Sequence, residues 1–144
     1  MKKILNNIKE TEEFAGLFIK NIKENKENAT IVGLQGDLGA GKTTFVKSVA
    51  SVLGVEGAVT SPTFVIEKIY KLPDGERFSR IVHIDAYRLE NGKELLSLGW
   101  EETASNPQNL ILIEWPERVA DILPKSIHRM YFNFIDENTR EVEY

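Results

Sequence analysis

The glycine-rich segment from Gly36 to Thr43 constrains the fold more than any other part of this 144-residue chain. It reads Gly-Asp-Leu-Gly-Ala-Gly-Lys-Thr and follows the apolar run from Thr30 to Gln35, which is typical of a buried strand. An amphipathic helix is predicted after it from five apolar residues at helical spacing: Phe45, Val46, Val49, Ala50 and Leu53. A strand, a loop with this glycine, lysine and threonine spacing, and a helix together form the phosphate-loop pattern.

The residue types in this segment suit a bound triphosphate. Glycines let successive backbone N–H groups point at one anion, and the following helix adds its positive N-terminal end. Lys42 supplies charge to the β- and γ-phosphates, and the Thr43 hydroxyl can ligate Mg²⁺. Contacts to ATP are therefore predicted from nine residues: Gly36, Asp37, Leu38, Gly39, Ala40, Gly41, Lys42, Thr43 and Thr44. The competing interpretation is a glycine-rich turn that caps an ordinary helix.

ATP is favoured over GTP because the motifs that recognise guanine are missing, and not because a motif that recognises adenine is present. A GTPase would carry an Asn-Lys-x-Asp pattern after the loop, but the nearest approach, Asn25 to Asn28, lies upstream and ends in the wrong residue. An Asp-x-x-Gly switch is also missing from the sequence. Guanine specificity is therefore unsupported.

Two acidic residues are candidates for holding Mg²⁺ beside the loop. Glu114 ends the apolar run Leu110 to Ile113, and Asp85 ends the run Ile81 to Ile84. Open α/β sheets place ligands at the carboxyl ends of their strands, so either strand can deliver its carboxylate there, and Glu114 has the cleaner approach. A solvated strand end or a helix cap is the competing interpretation for each acid.

The remaining elements predict a mixed α/β fold. We expect one P-loop NTPase-like domain over residues 1–144, with a central sheet that includes an antiparallel hairpin and has helices on both faces. Thr11 is predicted to cap the first helix, and Pro-Asp-Gly at 73–75 predicts the hairpin turn. The other predicted segments are strands at 3–8, 63–71, 78–84, 110–113, 128–135 and 140–144, a helix at 92–98 and a helical turn at 116–122.

Composition limits the partners and the compartment. The net charge of -4 argues against a broadly basic surface that would bind nucleic acid, so any contact with RNA is expected to be local or made through a partner. The chain has no cysteine, its first residues lack the apolar core of a signal peptide, and no apolar run is long enough to span a membrane. A reducing, cytoplasmic setting is the expectation.

Three further features are ambiguous from their local pattern. Ser61 to Phe64, which includes Thr63, lies where P-loop nucleotidases carry a γ-phosphate-sensing segment, although local pattern alone favours a proline-shaped turn that enters a strand. Trp115 can stack on the nucleotide or a partner, or pack at the core's rim. His83 has no second histidine or cysteine at ligand spacing, so a hydrogen-bonding role near the site is favoured over zinc binding.

Four segments in this order resemble the TsaE (YjeE) family of small bacterial ATPases. They are the phosphate loop at 36–43, Ser-Pro-Thr-Phe at 61–64, His-Ile-Asp-Ala-Tyr-Arg-Leu at 83–89 and Ile-Glu-Trp-Pro-Glu-Arg at 113–118. The resemblance covers nearly the whole chain. The tail departs from the family pattern because Thr139, not glycine, precedes Arg140.

The resemblance implies a component of the system that makes threonylcarbamoyladenosine beside the tRNA anticodon, working with the TsaD and TsaB proteins. It implies that ATP hydrolysis resets this machinery, that Thr43 and Glu114 hold Mg²⁺, and that Asp85 positions nucleotide or water. Lys42, Asp85 and Glu114 are thus the catalytic candidates. Further implied nucleotide contacts are Thr11, Ser61, Thr63 and Trp115. A small-metabolite or nucleotide kinase and a nucleotide-gated binding module remain alternatives from the residues alone.

Overall fold

The strand that leads into the glycine-rich loop lies near the centre of one sheet. The computed structural model describes residues 1–57, 59 and 65–144. Within these ranges the strands are β1 (Lys2–Leu5), β2 (Thr30–Gln35), β3 (Glu67–Lys71), β4 (Arg80–Asp85), β5 (Asn109–Glu114), β6 (His128–Phe134) and β7 (Arg140–Glu143). The helices are α1 (Ile8–Asn21), α2 (Lys42–Val52), α3 (Lys93–Ser97), α4 (Trp100–Ala104) and a 3₁₀ helix (Pro116–Val119).

The sheet is parallel at its centre and antiparallel at its margins. Its order is β1-β7-β6-β2-β5-β4-β3. Strands β6, β2, β5 and β4 run parallel, whereas β3 pairs antiparallel with β4, and β7 pairs antiparallel with β6 and β1. This arrangement confirms the predicted mixed sheet and the hairpin of β3 and β4. The predicted strand from 63 begins among residues that the structure does not describe, so only its later part is tested.

Helices cover both faces of the sheet, as predicted. Alternate residues of β2 and β5 point to opposite faces, because side chains in a strand alternate with a period of two. Leu34 and Leu112 pack in one core cluster with α1 and α2. Ile31 and Ile113 pack in a second cluster with α3, α4 and the 3₁₀ helix. Within the described residues, no helix is both long and apolar enough to cross a membrane.

The predicted start of the first helix is wrong. The helix begins at Ile8, and the Asn7 side chain accepts a hydrogen bond from the Glu10 N–H at 2.9 Å. Thr11 therefore lies inside the first turn, where its hydroxyl donates to the Asn7 carbonyl at 3.2 Å. Asparagine is as good an N-cap as any residue, so the chain uses the earlier cap and gains a further turn of helix. The strand predicted at 3–8 accordingly ends at Leu5.

The segment between β4 and β5 holds more helix than its sequence predicted. Helix α4 was not anticipated, because five residues are too few to show a helical period. Gly99 precedes it with a φ of 85°, and Trp100 anchors it in the second core cluster. The turn predicted at 116–122 is helical only over Pro116–Val119.

Candidate functional site

Backbone conformation in the glycine-rich loop requires its glycines. Gly36, Gly39 and Gly41 have φ values of 141°, 78° and 107°, a region that side chains disfavour. A Cβ on Gly36 would also lie 2.4 Å from the Phe132 carbonyl oxygen. Helix α2 then begins at Lys42 without any side-chain cap. The first N–H groups of α2 are thus left for a ligand, as an anion site at a helix N-terminus requires.

Lys42 is a buried lysine whose ammonium stays over the loop. It is 4% exposed, and its Nζ donates to the carbonyls of Gly36 and of Asp37, the latter at 2.9 Å. The same Nζ lies 4.2 Å from the centre of the Trp115 ring. Burial lowers the pKa of Lys42, although the nearby carboxylates, Glu114 first among them, oppose that shift. Phosphate oxygens are strong hydrogen-bond acceptors, so a bound triphosphate would supply the hydrogen bonds and negative charge that the buried Lys42 ammonium lacks away from water.

Glu114 reaches the loop because β5 lies directly beside β2. Leu34 pairs with Glu114 in the parallel register, so the acid stands level with the last residues before the loop. Glu114 is 3% exposed, and its Oε1 accepts a hydrogen bond from the Thr43 hydroxyl at 2.8 Å. Its Oε2 lies 2.6 Å from Nε2 of the fully buried His83. The structure thus brings together the two side chains predicted to hold Mg²⁺.

The oxygen ligands of Thr43 and Glu114 suit a Mg²⁺ ion that also binds phosphate and water better than they suit a metal ion bound by protein side chains alone. Hydroxyl and carboxylate oxygens are the ligands that Mg²⁺ prefers, and it commonly takes its other ligands from phosphate and water. In the part of the chain that the structure describes, no group of three or more histidine, aspartate or glutamate side chains could cage a metal. Thr43 and Glu114 therefore fit a Mg²⁺ ion that enters with a nucleotide.

Asp85 stands at the end of the neighbouring strand, level with Glu114 in the register of β4 and β5. Its Oδ1 accepts a hydrogen bond from the Tyr87 N–H at 3.0 Å. Burial raises the pKa of Asp85, and the adjacent Glu114 raises it further, against the Tyr87 hydrogen bond that lowers it. The side chain lines the same cavity as the loop. Asp85 can thus face a nucleotide without contacting Thr43.

Trp115 adopts an unusual backbone conformation. With a φ of 61°, it is the one non-glycine residue with positive φ in the described ranges. Such a conformation costs about 1–3 kcal/mol and persists where surroundings enforce it. Here the Trp115 N–H donates to the Leu34 carbonyl at 3.1 Å, and the indole lies 5.0 Å from the Tyr87 ring and faces Lys42. The indole contacts the loop lysine, and its predicted stacking on a nucleotide stays a prediction.

A cavity of about 390 Å³ joins these features. Its lining includes the predicted loop residues from Leu38 to Thr44, together with Asp85, Glu114 and Trp115. Thr11 instead lines a separate cavity of about 650 Å³, which Gly41 and Thr44 also border. Ser61 and Thr63 lie outside the described residues, so their predicted roles have no structural test. Gly36 and Asp37 contribute to the site through their carbonyls, which hold Lys42.

Sequence reasoning assigned no role to several residues that border the loop, among them Tyr87 and Arg140. Tyr87 lines the loop cavity and was visible only as part of the segment 83–89. Arg140 borders both cavities, and a Cβ on Gly41 would meet its Cγ at 3.4 Å. Nearly a hundred residues separate Arg140 from Gly41, so no local pattern could reveal their contact.

Comparison with known proteins gives a consistent result. The family model described as Threonylcarbamoyl adenosine biosynthesis protein TsaE matches residues 5–142. A Rickettsia typhi relative, named tRNA threonylcarbamoyladenosine biosynthesis protein TsaE, is 40% identical over 137 residues, covering 94% of this chain and 88% of the relative. A Treponema pallidum protein of the same name is 35% identical over 116 residues, covering 81% and 82%. The crystal structure of Bacillus subtilis YdiB matches with a TM-score of 0.74 and 30% identity, covering 99% of this chain and 82% of that one.

A central strand that enters a glycine-rich loop, with a parallel neighbour that delivers an acid to it, defines an α/β protein of the P-loop NTPase-like fold. Within that class the family match covers almost the entire chain. The chain belongs to the TsaE family of tRNA threonylcarbamoyladenosine biosynthesis. The resemblance inferred from the sequence is thereby confirmed.

Proposed function

We propose that this chain is the Mg²⁺-dependent, ATP-hydrolysing component of the machinery that makes threonylcarbamoyladenosine in tRNA. It acts in the cytoplasm with the TsaD and TsaB proteins and contacts tRNA only through them. The observation that carries the proposal is the buried cluster in which Lys42 lies over the loop and Thr43 bonds Glu114 at 2.8 Å. Buried charges are costly to maintain, so their convergence on a phosphate-binding loop favours a functional role.

Each residue of the cluster has a distinct task in this proposal. The loop N–H groups and Lys42 bind the phosphates and stabilise the charge that spreads over them as the terminal bond breaks. Thr43 and Glu114 would hold the metal ion, which when bound neutralises charge on the β- and γ-phosphates. Asp85 lies one strand away and would orient the attacking water.

Hydrolysis by the isolated chain should be slow. A P-loop protein gains much of its rate from an arginine that reaches the transferring phosphate. Two arginines, Arg88 and Arg140, line the loop cavity. Nη1 of Arg140 already donates to the carbonyls of Asp136 and of Thr139, and the side chain of Arg88 is exposed. Partners that supply or order such a group would therefore accelerate the reaction.

The test is release of inorganic phosphate from ATP and Mg²⁺, with and without the TsaB and TsaD pair. We expect slow release by the chain alone and a rise of at least about tenfold with both partners, one factor of ten being about 1.4 kcal/mol in barrier. Rapid release that partners do not change would contradict partner stimulation. ATP consumption that depends on a phosphorylated small acceptor would favour a kinase, and binding without turnover in any mixture would favour a nucleotide-gated module.

A further inference from the structure

His83 is a buried polar residue to which the proposed chemistry assigns no task. It lies in β4 with none of its side chain exposed. Its Nε2 is 2.6 Å from Oε2 of Glu114, and the two side chains are 0% and 4% exposed. A histidine kept entirely from water against an acid carries a large desolvation cost, which favours a specific role for the contact.

The register of the sheet explains how His83 reaches Glu114. His83 pairs with Leu112, and the next pair on the same face is Asp85 with Glu114. Leu112 belongs to the core cluster that α2 covers, so His83 and Glu114 also lie on the face toward α2. The imidazole thus approaches the carboxylate from the side opposite the loop strand.

The hydrogen-bonding capacities of His83 and Glu114 determine which of the two is the donor. An ionised carboxylate only accepts hydrogen bonds, so Nε2 of His83 must carry the proton that Oε2 receives. The Thr43 hydroxyl donates to the other oxygen, Oε1. The second ring nitrogen, Nδ1, is buried and has no hydrogen-bond partner among the residues that the structure describes. The imidazole therefore donates to Glu114 through Nε2 and makes no second hydrogen bond within the described residues.

We propose that His83 is a positioning residue for Glu114. By holding Oε2, it fixes the rotation of the carboxylate and keeps Oε1 directed at Thr43 and the Mg²⁺ site. Groups that orient a metal-ligating side chain commonly change metal affinity by about 10- to 100-fold when removed. This inference rests on the proposed function, because it assumes that Glu114 meets a metal ion.

The test compares the wild type with His83→Leu, which removes the donor, and His83→Gln, whose amide N–H can replace Nε2–H. Calorimetry measures ATP binding at increasing Mg²⁺ and again in EDTA. We expect His83→Leu to raise the half-saturating Mg²⁺ concentration at least about tenfold, and His83→Gln to stay within about threefold of wild type. Binding in EDTA should be equal in all three. Ile81→Val, a buried change on the same strand, is the matched control and should leave the Mg²⁺ requirement unaltered.

Equal Mg²⁺ requirements in the wild type and His83→Leu would overturn the inference while leaving the proposed function intact. A parallel loss of binding in EDTA would instead indicate a structural role and would also overturn it. A wild type that binds no ATP with Mg²⁺ would refute the proposed function.

A second measurement on the wild type needs neither ATP nor metal. Nitrogen NMR of the imidazoles reports which ring nitrogen is protonated, and the chain has only two histidines, so the His83→Gln spectrum assigns the signal. We expect the proton on Nε2 of His83. A proton confined to Nδ1 would contradict the donor role even if the leucine variant fails to fold.

Discussion

Two cavities lie at opposite ends of the parallel strands, and, among the described residues, buried charged side chains border only the smaller of these two. The loop cavity, about 390 Å³, lies at the carboxyl ends of the strands and is bordered by the buried charges of Lys42 and Glu114. A second cavity of about 1070 Å³ lies at the amino ends, before β2, β5 and β6. Its charged residues, such as Lys26 and Glu101, are exposed. The choice of the loop cavity as the candidate site therefore rests on its buried and hydrogen-bonded charges and not on its size.

The difference follows from the direction of the strands. Parallel strands that end together bring the residues after them to one edge, where a helix N-terminus can face them. At the amino edge, α1 and α4 end before β2 and β5 begin, and the C-terminal end of a helix disfavours anions. Trp100 closes part of that cavity with apolar surface. We therefore expect substitutions at the two edges to affect different properties.

Replacing the loop lysine should give the largest effect. Lys42→Ala removes the charge that would neutralise the phosphates, so ATP affinity should fall at least about 100-fold, or about 2.7 kcal/mol. Titration calorimetry with ATP and Mg²⁺ measures this change. Lys26→Ala at the amino edge is the control and should keep wild-type affinity. A Lys42→Ala protein that binds ATP normally would refute the assignment of the loop.

Substitutions of the two tryptophans, one at each cavity, should give effects of intermediate size. Trp115→Leu removes the aromatic face that orients the Lys42 ammonium over the loop. A less well-oriented lysine binds phosphate less tightly, so ATP affinity should fall by roughly tenfold. Trp115→Phe keeps a ring and should lose less. Trp100→Phe, at the other cavity, should lower the free energy of unfolding by about 1–2 kcal/mol with ATP affinity unchanged. Identical affinities for the wild type and Trp115→Leu would contradict the role of the indole.

Asp85→Asn should give the smallest change in the free energy of unfolding. Unlike Trp100→Phe, it should raise that free energy. Burial raises the folded-state pKa of Asp85 above its ordinary value of 3.8, so the ionised side chain lowers stability at neutral pH. That cost disappears as the pH falls through the folded-state pKa. The variant should therefore be more stable at pH 7, by no more than about 0.5 kcal/mol because water screens this half-buried group, and equal near pH 3. Urea unfolding at both pH values measures this, with Glu101→Gln as the exposed control. The same variant should hydrolyse ATP more slowly.

The sequence predicted those parts of the structure that depend on contiguous residues. The glycine-rich loop, the strand before it, the helix after it and the position of Glu114 beside the loop follow from a short motif and an apolar run that ends in an acid. The first helix was misplaced because Asn7 and Thr11 both cap helices well, and local propensity could not rank them. The contact of Arg140 with the loop depends on the pairing of β7 with β6, a tertiary feature that no local spacing records.

The alternation of side chains along β4 and β5 also determines which kinds of change this site accepts over generations. A substitution leaves the backbone in place, so a neighbouring group can compensate for it. One residue gained or lost within β5 would instead turn Glu114 to the face opposite Thr43, and the same event in β4 would turn His83 away from Glu114. Length within these strands is thus as strict a requirement as residue identity, and viable insertions should fall in the connecting loops.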